Sequence, residues 1–143
     1  MGMLDRLFGS KPDYPMLPTD NPARARLDGM RGPLEDLAQR VSDPLEVVPA
    51  DDEAFVFLGK PPKRFGIAWL HDGKVVGIKE LMEEHHLSAT DANRLISQIG
   101  DAYAAAEGAP RYAADIAGKT VVVIPSDDLE HQVHDLVEAA THH

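Results

Sequence analysis

Hydrophobic residues follow two rhythms along this chain, and their succession lays out helix, strands, helices, strands, helix. Leu27, Met30, Leu34, Leu37, Ala38 and Val41 recur at helical spacing. Asn21-Pro22 opens that stretch, with asparagine suited to the cap and proline to the first helical position. Gly32-Pro33 predicts a break into two pieces, and Ser42-Asp43-Pro44 predicts the stop. The rhythm then changes. Leu45–Val48 reads as a short strand, and Glu53–Leu58, Arg64–Leu70 and Lys74–Ile78 as stronger ones rich in Phe, Val, Ile and Trp. Ala54 to Leu58 is apolar at every position, which predicts cover on both faces. His71-Asp72-Gly73-Lys74 predicts a tight hairpin, because Asp-Gly accepts the positive φ of a two-residue turn.

Helical spacing returns at Lys79–His86, and Ser88-Ala89-Thr90-Asp91 reads as a capping box for a second helix. Ala92, Leu95, Ile96, Ile99, Tyr103 and Ala106 form its apolar stripe, which Gly108-Ala109-Pro110 ends. A second hairpin, Arg111–Ile116 and Lys119–Ile124, turns at Ala117-Gly118. A last helix starts at Pro125-Ser126-Asp127-Asp128 and carries Leu129, Val133, Leu136, Val137 and Ala140. This order predicts a single α+β domain over residues 23–141, with an antiparallel sheet built from two hairpin regions and covered by helices. Residues 1–22 read as an amphipathic segment, residues 1–9, followed by a proline-rich extended arm.

Composition narrows the function. The chain has 143 residues, no cysteine and a formal net charge of -10. Thiolate metal sites, disulfides and cysteine nucleophiles are excluded, and a reducing, cytoplasmic setting is the expectation. Six acidic residues face one basic residue over positions 80–108, and five acidic residues face none over 126–143. Helices of that charge disfavour nucleic acid, whose binding depends on neutralising phosphates.

Against this acidity the run Gly59-Lys60-Pro61-Pro62-Lys63-Arg64-Phe65-Gly66 stands out, with three cations and two prolines in five residues. As a loop it would offer charge to an acidic partner surface, with Phe65 as an apolar anchor. Equally, prolines and lysines at a hairpin connection discourage edge pairing. At the N-terminus Leu4, Leu7 and Phe8 share a helical face, a pattern that looks like the docking ends of bacterial peripheral proteins. That likeness implies contact with a protein partner, or peripheral contact with a membrane. Arg6 is the one basic residue there, and it stands where a myristoylation signal needs Ser or Thr.

Histidines supply a second candidate. His85 and His86 adjoin Glu83 and Glu84, and His131 and His134 stand three apart beside Glu130 and Asp135. Such spacing suits a transition metal or haem, although His131 and His134 read as lying on the polar face opposite Leu129, Val133 and Leu136. His142-His143 has the character of a purification-tag remnant. The stretch Leu81–Ile96 resembles the helix-turn-helix of bacterial repressors, with Leu87-Ser88 at the turn, Arg94 on the second helix and the Arg111–Ile124 hairpin as a wing. The resemblance implies a winged-helix DNA-binding regulator; Glu83, Glu84, Asp91 and Asp101 oppose it by repelling phosphates, and His86 replaces the usual turn glycine. No nucleophile elbow, phosphate loop or dinucleotide fingerprint occurs, and Ser126 reads as a helix cap. The sequence therefore favours a non-catalytic protein-binding accessory with no cofactor. Its contact residues would be Leu4, Leu7, Phe8, Lys60, Pro61, Pro62, Lys63, Arg64 and Phe65.

Overall fold

A computed structural model describes residues 14–41, 44–60 and 64–141, with the backbone alone at Lys60 and Arg64. Leu4, Leu7 and Phe8 of the amphipathic segment, and Pro61, Pro62 and Lys63 of the basic run, lie outside the described residues. Two short helices, α1 (Pro22–Gly29) and α2 (Arg31–Arg40), come first. Asn21 caps α1, its side chain accepting from the Ala23 N–H at 2.9 Å. The break between the helices falls at Met30, not at Gly32-Pro33. Pro33 sits in the first turn of α2, where a missing N–H costs little.

Strands β1 (Leu45–Pro49), β2 (Glu53–Lys60), β3 (Arg64–His71) and β4 (Lys74–Gly77) form an antiparallel meander. Asp72 and Gly73 take φ of 53° and 72° in the β3–β4 turn, as the Asp-Gly pair requires. Helices α3 (Ile78–His85) and α4 (Ala89–Ala105) follow, joined at His86, which sits in the left-handed region at φ 55°. Ser88 caps α4 in the reciprocal box with Asp91. Strands β5 (Tyr112–Ile116) and β6 (Lys119–Val123) form a second hairpin, and α5 (Asp127–Thr141) ends the chain.

The sheet order is β4-β3-β2-β1-β6-β5. The β1–β6 pair is parallel, so the sheet is mixed and not antiparallel throughout. The hairpins are local, but this junction brings together residues 76 apart in sequence, Glu46 with Val122 and Val47 with Val123. It also places β6 between two partners, which builds the supposed wing into the body of the sheet. The basic run is likewise shorter as a loop than its sequence implies. Lys60 pairs with Arg64, Gly59 with Phe65 and Leu58 with Gly66, leaving residues 61–63 as the connection.

Alternating side chains divide the core into two layers. On one face Leu27, Leu34 and Leu37 of α1 and α2 cover Val47, Val56, Leu70 and Val123. On the other Leu95, Ile99, Leu129, Val133 and Val137 of α4 and α5 cover Phe55, Phe57, Ile67 and Val122. Each face is thus sealed by one helical layer, as the uninterrupted apolar run of β2 demands. Among the described residues no helix is long and apolar enough to cross a membrane.

Candidate functional site

The α4–α5 face carries two buried acidic residues, Glu46 at 4% and Glu130 at 6% exposure. A buried carboxylate needs donors or a cation, and the two glutamates meet that need differently. Glu46 projects from β1 toward α4, where the Tyr103 hydroxyl donates to it at 2.5 Å. Arg111 Nε stands 3.6 Å from its other oxygen, and the Arg111 guanidinium lies 5.8 Å from the Tyr103 ring centre. Burial, then the Glu46 hydrogen bond and charge, raise the Tyr103 pKa, so the phenol stays a donor. Arg111 also donates to the carbonyls of Ala106, Glu107 and Ala109, closing the end of α4. This is a finished structural network.

Glu130 instead meets Glu53, the first residue of β2. Glu130 and His134 lie one turn apart on α5, and a ligand atom from each of Glu53, Glu130 and His134 lies within 4.8 Å of the others. His134 Nδ1 is 3.0 Å from Glu53 Oε2, while Trp69 Nε1–H donates to Glu53 Oε1 at 3.0 Å. The second His134 nitrogen, Nε2, faces Glu138 at 3.3 Å. Trp69 is itself held from both sides, stacked on Phe55 at 6.2 Å and on His71 at 4.0 Å between ring centres. Exposed His131, at 3.6 Å from Glu130, stands at the rim.

The electrostatics follow from burial and crowding. Burial, reinforced by the hydrogen bond and charge of Glu53, pushes the Glu130 carboxyl up to about 7. Burial acts the same way on Glu53, but hydrogen bonds from Glu130 and Trp69 and the His134 charge together bring it below its ordinary value. His134 is raised, because Glu53, Glu138 and Glu130 outweigh the opposing effect of burial. A proton on Glu130 thus lets two adjacent carboxyls coexist. In chemical terms the cluster is a place for a proton or a cation.

Other sequence candidates are placed differently. His134 leaves the polar face assigned to it and joins the shoulder of the buried stripe, whereas His131 stays outside. His85 and His86 close α3 and take no part in the cluster. Phe65 turns inward, 5.7 Å from both the Phe57 and Tyr103 ring centres, and is not held out as an anchor. Strand alternation explains this, since Phe65, Ile67 and Trp69 share the face of Phe55 and Phe57. The α4 helix lays Leu95 and Ile99 on the sheet and pairs Arg94 with Asp91 at 3.4 Å. In sequence Glu53 belongs to the acidic run Asp51-Asp52-Glu53, which suits a turn, and its link to His134, 81 residues away, appears only in the fold.

Compared with protein-family models, curated proteins and solved structures, the chain matches none.

Proposed function

We propose that this chain is a non-catalytic accessory protein that docks on a protein partner through its N-terminal arm, assisted by the basic turn after β2. One observation carries the reading. Tyr14 and Met16, 37% and 56% exposed, are the large apolar side chains left outward among the described residues, and both lie on a segment tied down at the sheet edge. Pro15 O accepts from the Ala113 N–H at 2.8 Å, and the Leu17 N–H donates to Ala113 O at 2.9 Å. Leu17 is buried, and Arg24 donates to its carbonyl at 3.0 Å. A segment anchored by Leu17 presents Met16 and Tyr14 outward, and in sequence it follows the apolar residues Leu4, Leu7 and Phe8.

The turn offers complementary chemistry. In sequence Lys60, Lys63 and Arg64 fall within five residues where β2 ends and β3 begins, each strand being eight residues long. Cations grouped on an acidic chain suit an acidic partner surface, and charge complementarity of that kind sets association rate and register. The test compares partner capture by the parent chain, by a Leu4→Ser, Leu7→Ser, Phe8→Ser variant, and by a Lys60→Glu, Lys63→Glu, Arg64→Glu variant. The reading expects a stoichiometric partner lost from the first variant and weakened in the second. Equal recovery by all three chains, or no partner with the parent, contradicts it.

A further inference from the structure

We propose that Glu53, Glu130 and His134 form a three-ligand site for a divalent transition-metal ion of the zinc type, with a fourth position open toward solvent. The donor set is the first reason. One imidazole and two carboxylates suit zinc and its neighbours, whereas calcium and magnesium prefer all-oxygen shells. The spacing is the second. Bonds of about 2.0–2.1 Å in a tetrahedron place ligand atoms about 3.3 Å apart. His134 Nδ1 and Glu53 Oε2 stand at 3.0 Å, and all three ligand atoms lie within 4.8 Å of one another, a range that includes this spacing.

The third reason is independent of the three ligands. Metal-bound histidines characteristically donate their other ring N–H to a carboxylate, and outer partners fix the bound carboxylates. Here Glu138 faces His134 Nε2 at 3.3 Å, and Trp69 holds Glu53 Oε1 at 3.0 Å, leaving Oε2 toward the cluster. The outer contacts therefore orient both inner donors. Side-chain exposure of 37% at His134, against 8% at Glu130, leaves the histidine side for entry and for the fourth ligand.

Charge and protons balance. Without an ion, His134 Nδ1 faces Glu53 at 3.0 Å and Nε2 faces Glu138 at 3.3 Å. An entering dication displaces into solvent whatever protons Nδ1 and the two carboxyls hold, and the neutral imidazole keeps its N–H at Nε2, toward Glu138. Two carboxylates then neutralise the ion, and no oxidation state changes. Asp127 and Glu138 add negative charge nearby, and Arg26 moderates the former from 3.4 Å.

The chain carries one tryptophan, and it donates to Glu53, so Trp69 emission reports directly on this site. The experiment titrates the full chain with zinc ion alone, reading Trp69 fluorescence and, separately, competition with a chromophoric chelator. The expected result is one equivalent bound with a saturable change in Trp69 emission. Affinity should fall at least about tenfold in Glu130→Gln and in His134→Gln, and stay unchanged when His85, His86, His142 and His143 are replaced together. Binding that leaves Trp69 silent, that survives Glu130→Gln, or that disappears with those other histidines overturns the proposal. So does the absence of saturable binding to the parent chain, a result that needs no variant to fold.

Discussion

Glu46 and Glu130 are buried on the same face of one sheet, yet their surroundings are opposites. Around Glu46 the protein supplies both a neutral donor, Tyr103, and a permanent cation, Arg111. Around Glu130 it supplies a second carboxylate, Glu53, and a histidine whose charge depends on pH. The first arrangement fixes β1 to the end of α4 and leaves nothing to be added. The second is complete only with a proton or a cation in place. Burial alone therefore does not mark a functional acid; the permanence of its partner does.

The largest expected effect lies on the finished side. Arg111→Ala leaves Glu46 buried without its cation and opens the end of α4, which should cost about 3–5 kcal/mol of unfolding free energy by denaturant titration. Tyr103→Phe removes a charge-assisted hydrogen bond while keeping the ring against Phe57 and Phe65, for a loss of about 2 kcal/mol. If both substitutions prove neutral, the contrast between the two glutamates collapses.

The unfinished side should respond to pH. Glu130 is raised from 4.5 to about 7, so the folded state favours its proton. The resulting stability is present below the unfolded pKa and is lost as pH rises through the folded value. Raised His134 contributes with the same sign above 6.5, while lowered Glu53 contributes stability that is lost on acidification below 4.5. Metal-free protein should thus lose on the order of 1 kcal/mol between about pH 6 and pH 8. Glu130→Gln, whose amide can donate to Glu53 at any pH, should flatten that decline, as thermal melts across the range would reveal. An unchanged pH profile in the variant would remove Glu130 from the account. Ser88→Ala gives a yardstick away from both glutamates: loss of the α4 cap should cost about 1 kcal/mol, and its dependence on pH should match the parent.

What the sequence disclosed follows the range of each interaction. Asp72-Gly73, Ser88 with Asp91, and the Ala117-Gly118 turn, at φ of 54° and 80°, are local geometries, and each is legible from neighbouring residues. The parallel pairing of β1 with β6 is not, because nothing in either strand names the other. The extent of the basic run as a loop is illegible for a related reason: it depends on how far β2 and β3 continue to pair. At the cluster, Glu130 and His134 already stood four apart on the final helix, a visible ligand spacing. Their position on the shoulder of the apolar stripe, and the arrival of Glu53 from β2, required the tertiary fold. Arm and cluster also remain separable, since one lies on the β5 edge and the other between β2 and α5.

The most direct test of the contrast is a carbon NMR titration of the side-chain carboxyls, with and without one equivalent of zinc. The account predicts that Glu130 titrates near pH 7 in metal-free protein, and that zinc shifts the Glu53 and Glu130 signals while leaving Glu46 in place. A Glu130 carboxyl that ionises in the ordinary carboxylate range and ignores zinc would contradict it.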